Sequence, residues 1–312
     1  MNKIKLASIL VLCAVIICTS CDKNELKGIE GISFANYPKV DGSTSARAFN
    51  QMVACKLLGI SYEWRLGFSA EWSLMPKNIP LNRENFLIER IKTSQTHGAF
   101  MNLIDGEADI IVTHRTISPD EKAHADAMGV TLIETSIALD AFVFVVHPDN
   151  PVKSLSINEI QKIYTKEITN WSEVGGNNIN MNVYTRPRNS GSEEVFKTMV
   201  MDGLEPYDFP PIFQINPMYM VLITTLVDEN AICYSFNNYA NVIARLPVTK
   251  IAINGISPND ETVKNRTYPL ISELHVAIRS DLDRNSMAYK LYEWLLSENA
   301  KSTIIECGFI PK

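Results

Sequence analysis

The sequence predicts a mixed α/β protein built as two lobes, and three observations carry that reading. Short β-branched or aromatic runs alternate with amphipathic segments along nearly the whole chain. The roughly 290 residues behind an N-terminal leader exceed what one core organises. A hydrophobic content of 46% and a charged content of 21% are those of an ordinary folded chain, which excludes disorder for most of it.

The leader has Lys3 and Lys5 ahead of an apolar run from Leu6 to Cys18, then Thr19, Ser20 and Cys21. This is the layout of a secretory signal over residues 1–20. A run of about 13 residues falls short of the roughly 20 a bilayer requires, so it does not read as a permanent membrane helix. Cys21, behind two small residues and before Asp22, Lys23, Asn24 and Glu25, resembles the lipobox cysteine of bacterial lipoproteins, although Cys18 stands where leucine is usual. On that resemblance Cys21 is lipidated, residues 21–31 form a tether, and the protein is exported and held at the cell envelope by its acyl chains. The alternative is an ordinary cleaved signal with an incidental cysteine.

Strands are expected at Asp109–Val112, Ala141–Val146, Ala231–Phe236, Val248–Ile253 and Leu274–Ile278. Helical spacing marks Ala46, Phe49, Val53 and Leu57, and again Met287–Leu296. The stretch from Tyr62 to Asn85, with two tryptophans and two prolines, fits no clean period and reads as an irregular insertion. Outside the leader and Cys21, the cysteines are Cys55, Cys233 and Cys307. Their spacing is not that of a metal site, and the simplest reading of each is a small buried apolar side chain; export permits at most one disulfide among them.

The formal net charge is −6, and loss of the two leader lysines takes it to −8. That excludes a general basic surface for nucleic acid. Any bound anion must be met by local positive potential. Three segments offer it: Asp41-Gly42-Ser43-Thr44-Ser45, Thr93-Ser94-Gln95-Thr96-His97-Gly98 and Asn189-Ser190-Gly191-Ser192 each precede a helical apolar pattern. Unpaired N–H groups and the macrodipole make a helix start receptive to anions. Hydroxyls add donors, and glycine admits close approach. Taken singly, each cluster reads first as an ordinary N-cap, and spacing alone cannot bring them together. Arg186, four residues before Ser190, adds a forked guanidinium suited to phosphate or carboxylate.

In these segments, taken in order over most of the chain, the sequence resembles the phosphate-binding proteins of bacterial ABC phosphate importers, a branch of the two-lobed periplasmic binding proteins. Asp41–Ser45 is similar to that family's N-terminal phosphate loop. Thr96-His97-Gly98, with the run from Leu103 through Thr113, His114 and Arg115, is similar to the turn, helix and strand that supply further ligands. Ile160–Gly176, with its Ile163-Tyr164 and Asn170-Trp171 pairs, resembles the signature of the second lobe, and Arg186 with Ser190-Gly191-Ser192 resembles the grip on phosphate from that side.

The resemblance implies a type II fold with two hinge crossings, lobe I from 32–140 and 251–312, and lobe II from 141–250. It implies a monomeric, non-catalytic binder that closes on phosphate and delivers it to an ABC permease, with no cofactor and no metal. Ser43, Thr44, Ser45, Thr96, His97, Gly98, Thr113, His114, Arg115, Arg186, Ser190, Gly191 and Ser192 are the expected ligand-binding set. One position departs from the pattern. His114 stands where well-known members carry an aspartate that accepts the ligand's proton, so a different oxyanion or a phosphorylated small molecule stays open as the ligand. A serine-based phosphatase using Ser43 or Ser190 is the enzymatic alternative, and sensing is a third use of the same cleft.

Overall fold

The computed structural model describes residues 28–67, 71–80, 83 and 85–312, so the leader, Cys21 and the first part of the tether lie outside the described residues. The strands are β1 (Val40–Gly42), β2 (Tyr62–Leu66), β3 (Trp72–Pro76), β4 (Ile110–Thr113), β5 (Leu132–Val146), β6 (Ser154–Leu155), β7 (Asn182–Val183), β8 (Ala231–Phe236), β9 (Thr249–Lys250), β10 (Ala252–Ile253), β11 (Ile271–Arg279) and β12 (Ile310–Pro311). The helices are α1 (Arg47–Leu57), α2 (Phe86–Arg90), α3 (Gln95–Ile104), α4 (Pro119–Ala127), α5 (Ile157–Tyr164), α6 (Gly191–Phe196), α7 (Met218–Val227), α8 (Asp260–Lys264), α9 (Met287–Leu296) and α10 (Glu298–Glu306).

The backbone of the molecule is β5, a strand of 15 residues that serves both lobes. Residues 132–141 of β5 pair antiparallel with β11, and residues 142–146 pair antiparallel with β8. The partner changes between Ala141, opposite Ile271, and Phe142, opposite Phe236. From Ile137 to Val146 every β5 residue is buried, as expected of a strand covered on both faces. The full order is β1-β4-β11-β5-β8-β7, with β12 and β9 also on β5. Asp140 fastens the crossing, since its Oδ1 accepts from the backbone N–H of Ala141 at 2.8 Å and of Asn238 at 3.0 Å.

One continuous core runs through both lobes, with different side chains prominent in each. Phe142, Phe144, Tyr164, Phe196 and Tyr234 meet in the second lobe, where the Phe196 and Tyr234 rings stack at 4.7 Å. In the first, Phe49, Met52, Val53 and Ala54 of α1 are buried with 0–3% exposure. Cys55, Cys233 and Cys307 are unbridged and buried, and burial pushes each thiol up to about 12. Among the described residues no helix is long and apolar enough to cross a membrane.

Two local expectations need correction. The expected strand Val248–Ile253 is broken at Ile251, because Thr249–Lys250 pairs with β5 while Ala252–Ile253 turns to pair with Ser154–Leu155. Within the expected irregular insertion, Tyr62–Leu66 and Trp72–Pro76 form a regular antiparallel pair, β2 and β3, with the Gly67 N–H donating to the Glu71 carbonyl at 2.8 Å. Tyr62, Trp64 and Leu66 alternate with Glu63 and Arg65 in β2, the period-two pattern of a half-buried strand, which sequence reasoning missed.

Candidate functional site

A cavity of about 260 Å³ opens where three chain segments converge. Its wall includes Ser43, Thr44, Ser45, Thr96, Arg186, Ser190, Gly191 and Ser192. Eight of the expected residues therefore share one space, the convergence that spacing could not supply.

The first segment leaves the carboxyl end of β1, where open α/β sheets place their ligands. Gly42 is required there: a Cβ would stand 2.5 Å from the Val112 carbonyl oxygen and 2.8 Å from Asn50 Nδ2. The Ser43 N–H donates to Val112 O at 3.1 Å, and Thr44–Ala46 turn once before α1 begins. Ser43 Oγ and Ser45 Oγ share a hydrogen bond at 3.1 Å. The second segment is the start of α3, entered through Gln95 with φ at +63°, which puts Thr96 against the cavity. The third is the start of α6, capped by Ser190, whose Oγ accepts from the Glu193 N–H at 3.2 Å. The second and third touch. A Cβ on Gly191 would fall 2.3 Å from Thr96 Oγ1, so only glycine lets the two helix starts meet across the cleft.

Arg186 supplies the charge. It is 7% exposed, and its guanidinium is held by neutral oxygens: Nη1 donates to the Ile215 carbonyl at 2.5 Å and to the Asn216 carbonyl, and Nε to Ser192 Oγ at 3.3 Å. Burial lowers its pKa from the ordinary arginine value. Among the described residues no carboxylate makes an ion pair with this guanidinium, so its charge remains available to an anion. Glu193, buried beneath it, is raised above the usual carboxylate range by desolvation and accepts from the Tyr234 hydroxyl.

The other expected residues sit behind or beside the wall. His114 is 2% exposed and does not line the cavity; its Nδ1 shares a hydrogen bond with Ser45 Oγ at 2.8 Å, and its Nε2 lies 3.3 Å from Asp140 Oδ2. Phe236 packs on the ring at 4.3 Å. Arg115 forks onto Glu121, both nitrogens at 2.7 Å, and its charge is satisfied there. His97 joins the same carboxylate at 3.0 Å. Thr113 Oγ1 donates to the Arg115 carbonyl, and Gly98 lies within α3, where a Cβ would meet Ser94 Cβ at 3.1 Å. His97, Asp120 and Glu121 bring ligand-type atoms within 4.8 Å of one another, but a cation there would compete with the Arg115 fork on Glu121.

The Ile160–Gly176 segment is structural: Ser156 and Glu159 cap α5, Asn170 caps a single 3₁₀ turn over Trp171–Val174, and Trp171 is buried. Sequence reasoning missed Glu71, Gln95, Asn216, Pro217, Met218, Tyr219 and Phe236 on the wall. Gln95 lay inside a segment already singled out; nothing in the local pattern marks the others.

A family model described as a PBP superfamily domain matches residues 88–299. The chain belongs to that superfamily. Within it, the phosphate-binding protein of Bacillus subtilis is 27% identical over 206 residues, 66% of this chain and 65% of that relative. The chain thus spans slightly less than two thirds of that relative's length. Two solved structures share the fold over 88% of this chain and 98% of theirs. One is a putative phosphate ABC transporter substrate-binding protein with bound phosphate from Clostridium perfringens, at 22% identity and a TM-score of 0.64. The other is an ABC-type phosphate transport receptor from Vibrio cholerae, at 23% identity and a TM-score of 0.62. The mixed α/β, two-lobed type II architecture expected from the sequence is the fold of this superfamily member.

Proposed function

We propose that this superfamily member captures inorganic phosphate between its lobes for delivery to an ABC permease. The carrying observation is Arg186, buried with its charge unpaired among the described residues, facing the Ser43–Ser45 turn across a cavity rich in hydroxyls. Such a site stabilises a tetrahedral oxyanion by charge-assisted hydrogen bonds from both sides. A ligand bridging both lobes shifts the population toward the closed form that a permease can read. The names of the curated relative and of the structural neighbours support phosphate as the ligand.

We place the first hinge at Ala141–Phe142 and the return beyond Ile253, three residues later than the sequence boundary, because Ala252 and Ile253 pair with β6. Export, lipidation at Cys21 and a monomeric state rest on the leader's layout and the resemblance. Titrating phosphate into protein freed of bound anion tests the function: we expect saturable binding, weakened about a hundredfold or more in Arg186→Ala. Full affinity in that variant would refute the site.

The alternative, phosphate ester hydrolysis, has only part of a relay: Ser45 Oγ meets His114 Nδ1 at 2.8 Å, but His114 Nε2 and Asp140 Oδ2, 3.3 Å apart, make no hydrogen bond. Incubation with a chromogenic phosphate ester distinguishes the two. Capture predicts no turnover, whereas turnover abolished by Ser45→Ala would establish the hydrolase.

A further inference from the structure

We propose that Asn189 and Asp120 form a latch between the lobes, closed beside the cavity, that sets how fast phosphate leaves it. This rests on the reading of the cavity as a phosphate site and adds two positioning residues outside its wall.

Asn189 Nδ2 donates to Asp120 Oδ2 at 2.9 Å. Asn189 stands just ahead of α6 in the second lobe, and Asp120 lies in the first turn of α4 in the first. Neither is among the described residues lining the cavity. Each is joined to residues that are. Asn189 adjoins Ser190 and Gly191, and Asp120 Oδ2 stands 3.9 Å from Nδ1 of His97, the neighbour of Thr96. The bond therefore accompanies the contact of Gly191 with Thr96, where the lobes already touch.

Both partners are held in place. The start of α4 is pinned by Glu121, which accepts from the Ser118 N–H at 2.9 Å and takes both nitrogens of the Arg115 fork. The Ser118 hydroxyl donates to Asp120 Oδ1, which leaves Oδ2 for Asn189. That hydroxyl, with the backbone N–H groups of Glu121 and Asp120, outweighs slight desolvation and holds the Asp120 carboxyl below the usual carboxylate range. The acceptor is ionised at neutral pH, so the bond is charge-assisted. Opposite it, Asn189 has φ of +66°, a left-handed conformation that asparagine adopts more readily than most side chains.

An exposed pair of this kind adds little to the stability of a fold. Between two bodies that separate, the same pair acts differently: it exists only when the lobes touch, so all of its free energy falls on the closed form. The latch must break before phosphate leaves and need not form before it enters. It acts on release, not on capture.

The test is a double-mutant cycle on phosphate release. Wild-type protein, Asn189→Gly, Asp120→Ala and the double variant are loaded with radiolabelled phosphate, and loss of label is timed after excess unlabelled phosphate is added. Glycine keeps the left-handed backbone, so Asn189→Gly removes only the amide. Loss of the Asp120 charge near a bound anion would by itself slow release, the opposite sign to loss of a latch. We expect each single variant to release phosphate at least threefold faster, the double variant to be no more than twofold faster than the quicker single, and association in Asn189→Gly to stay within twofold of wild type. Because the residues stand in different lobes, local damage at each would multiply in the double variant. An acceleration below threefold in either single, a double variant more than twofold faster than the quicker single, or association slowed beyond twofold in Asn189→Gly overturns the latch. If a thermal melt shows Asp120→Ala unfolded, Asp120→Ser, too short to reach Asn189, takes its place under the same criteria. Wild-type protein that retains no label overturns the phosphate reading and the latch with it, whereas label leaving all four proteins at one rate overturns the latch alone.

Discussion

Ser45 Oγ and His114 Nδ1 share a hydrogen bond at 2.8 Å, and through it a fully buried imidazole reaches the cavity without lining it. The ring positions a donor hydroxyl. His114→Phe should pack beside Phe236 and Phe309 while removing that bond, and we expect phosphate affinity to fall about tenfold. Its phosphate-to-sulfate ratio should stay as in the wild type. Paired titrations of both anions check this; a changed ratio would return His114 to direct contact with the ligand.

Gly191 meets Thr96 where the lobes touch. Gly191→Ala places a methyl 2.3 Å from Thr96 Oγ1, so the cleft can close only by shifting α3 or α6. The expected outcome is a tenfold or greater loss of phosphate affinity, with the ligand-free melting temperature nearly unchanged. Small-angle scattering should show the variant more open at saturating phosphate.

Arg245 bridges the two hairpin tryptophans. Arg245→Ala should destabilise the protein by about 0.5–2 kcal/mol and shift tryptophan emission, as measured by denaturant titration and fluorescence. Unchanged stability and emission would mean that the hairpin stands without this brace.

Glu273 gives the fold an acid-sensitive tie. Partial burial works against its charge, but the neighbouring Ser136 hydroxyl and hydrogen bonds from Arg266 and Lys312 outweigh it and lower its pKa to about 2. The unfolded carboxyl titrates near 4.5, so this group stabilises the fold above that pH and the contribution drains away as pH falls toward about 2. Melting curves should therefore show Glu273→Gln less stable than wild type at neutral pH, with the two converging as pH approaches 2. A gap that persists to pH 2 would assign the loss to packing instead.

The fold was legible wherever one kind of periodicity ran without interruption. Ala231–Phe236 and Met287–Leu296 read at their observed bounds because each is a single buried strand or one amphipathic face. The central strand was legible only in its second half, since Leu132–Ser136 is partly exposed and lacks the continuous apolar run that marked Ala141–Val146. The hairpin carried a local signal in the alternation of Tyr62, Trp64 and Leu66 with Glu63 and Arg65; its docking did not, because that contact is with the segment at Tyr239–Arg245, more than 160 residues away in the chain.

The site divides the same way. Hydroxyl-rich turns and Arg186 are marked by local chemistry, so the eight wall residues were in view. His97 and Arg115 share the same local grammar, yet Glu121 lies close enough to bind both and takes them out of the cleft. Glu71 could not be found from neighbours in sequence, because what makes it a wall residue is the position of the whole hairpin.

The most direct test of phosphate capture is a crystal structure of the protein with phosphate. The account predicts one phosphate in the cavity, its oxygens about 2.7–3.2 Å from donors of Arg186, of the Ser43–Ser45 turn and of the Ser190–Ser192 helix start. An empty cavity at saturating phosphate, or phosphate bound elsewhere with Arg186 still capped by the Ile215 and Asn216 carbonyls alone, would contradict it.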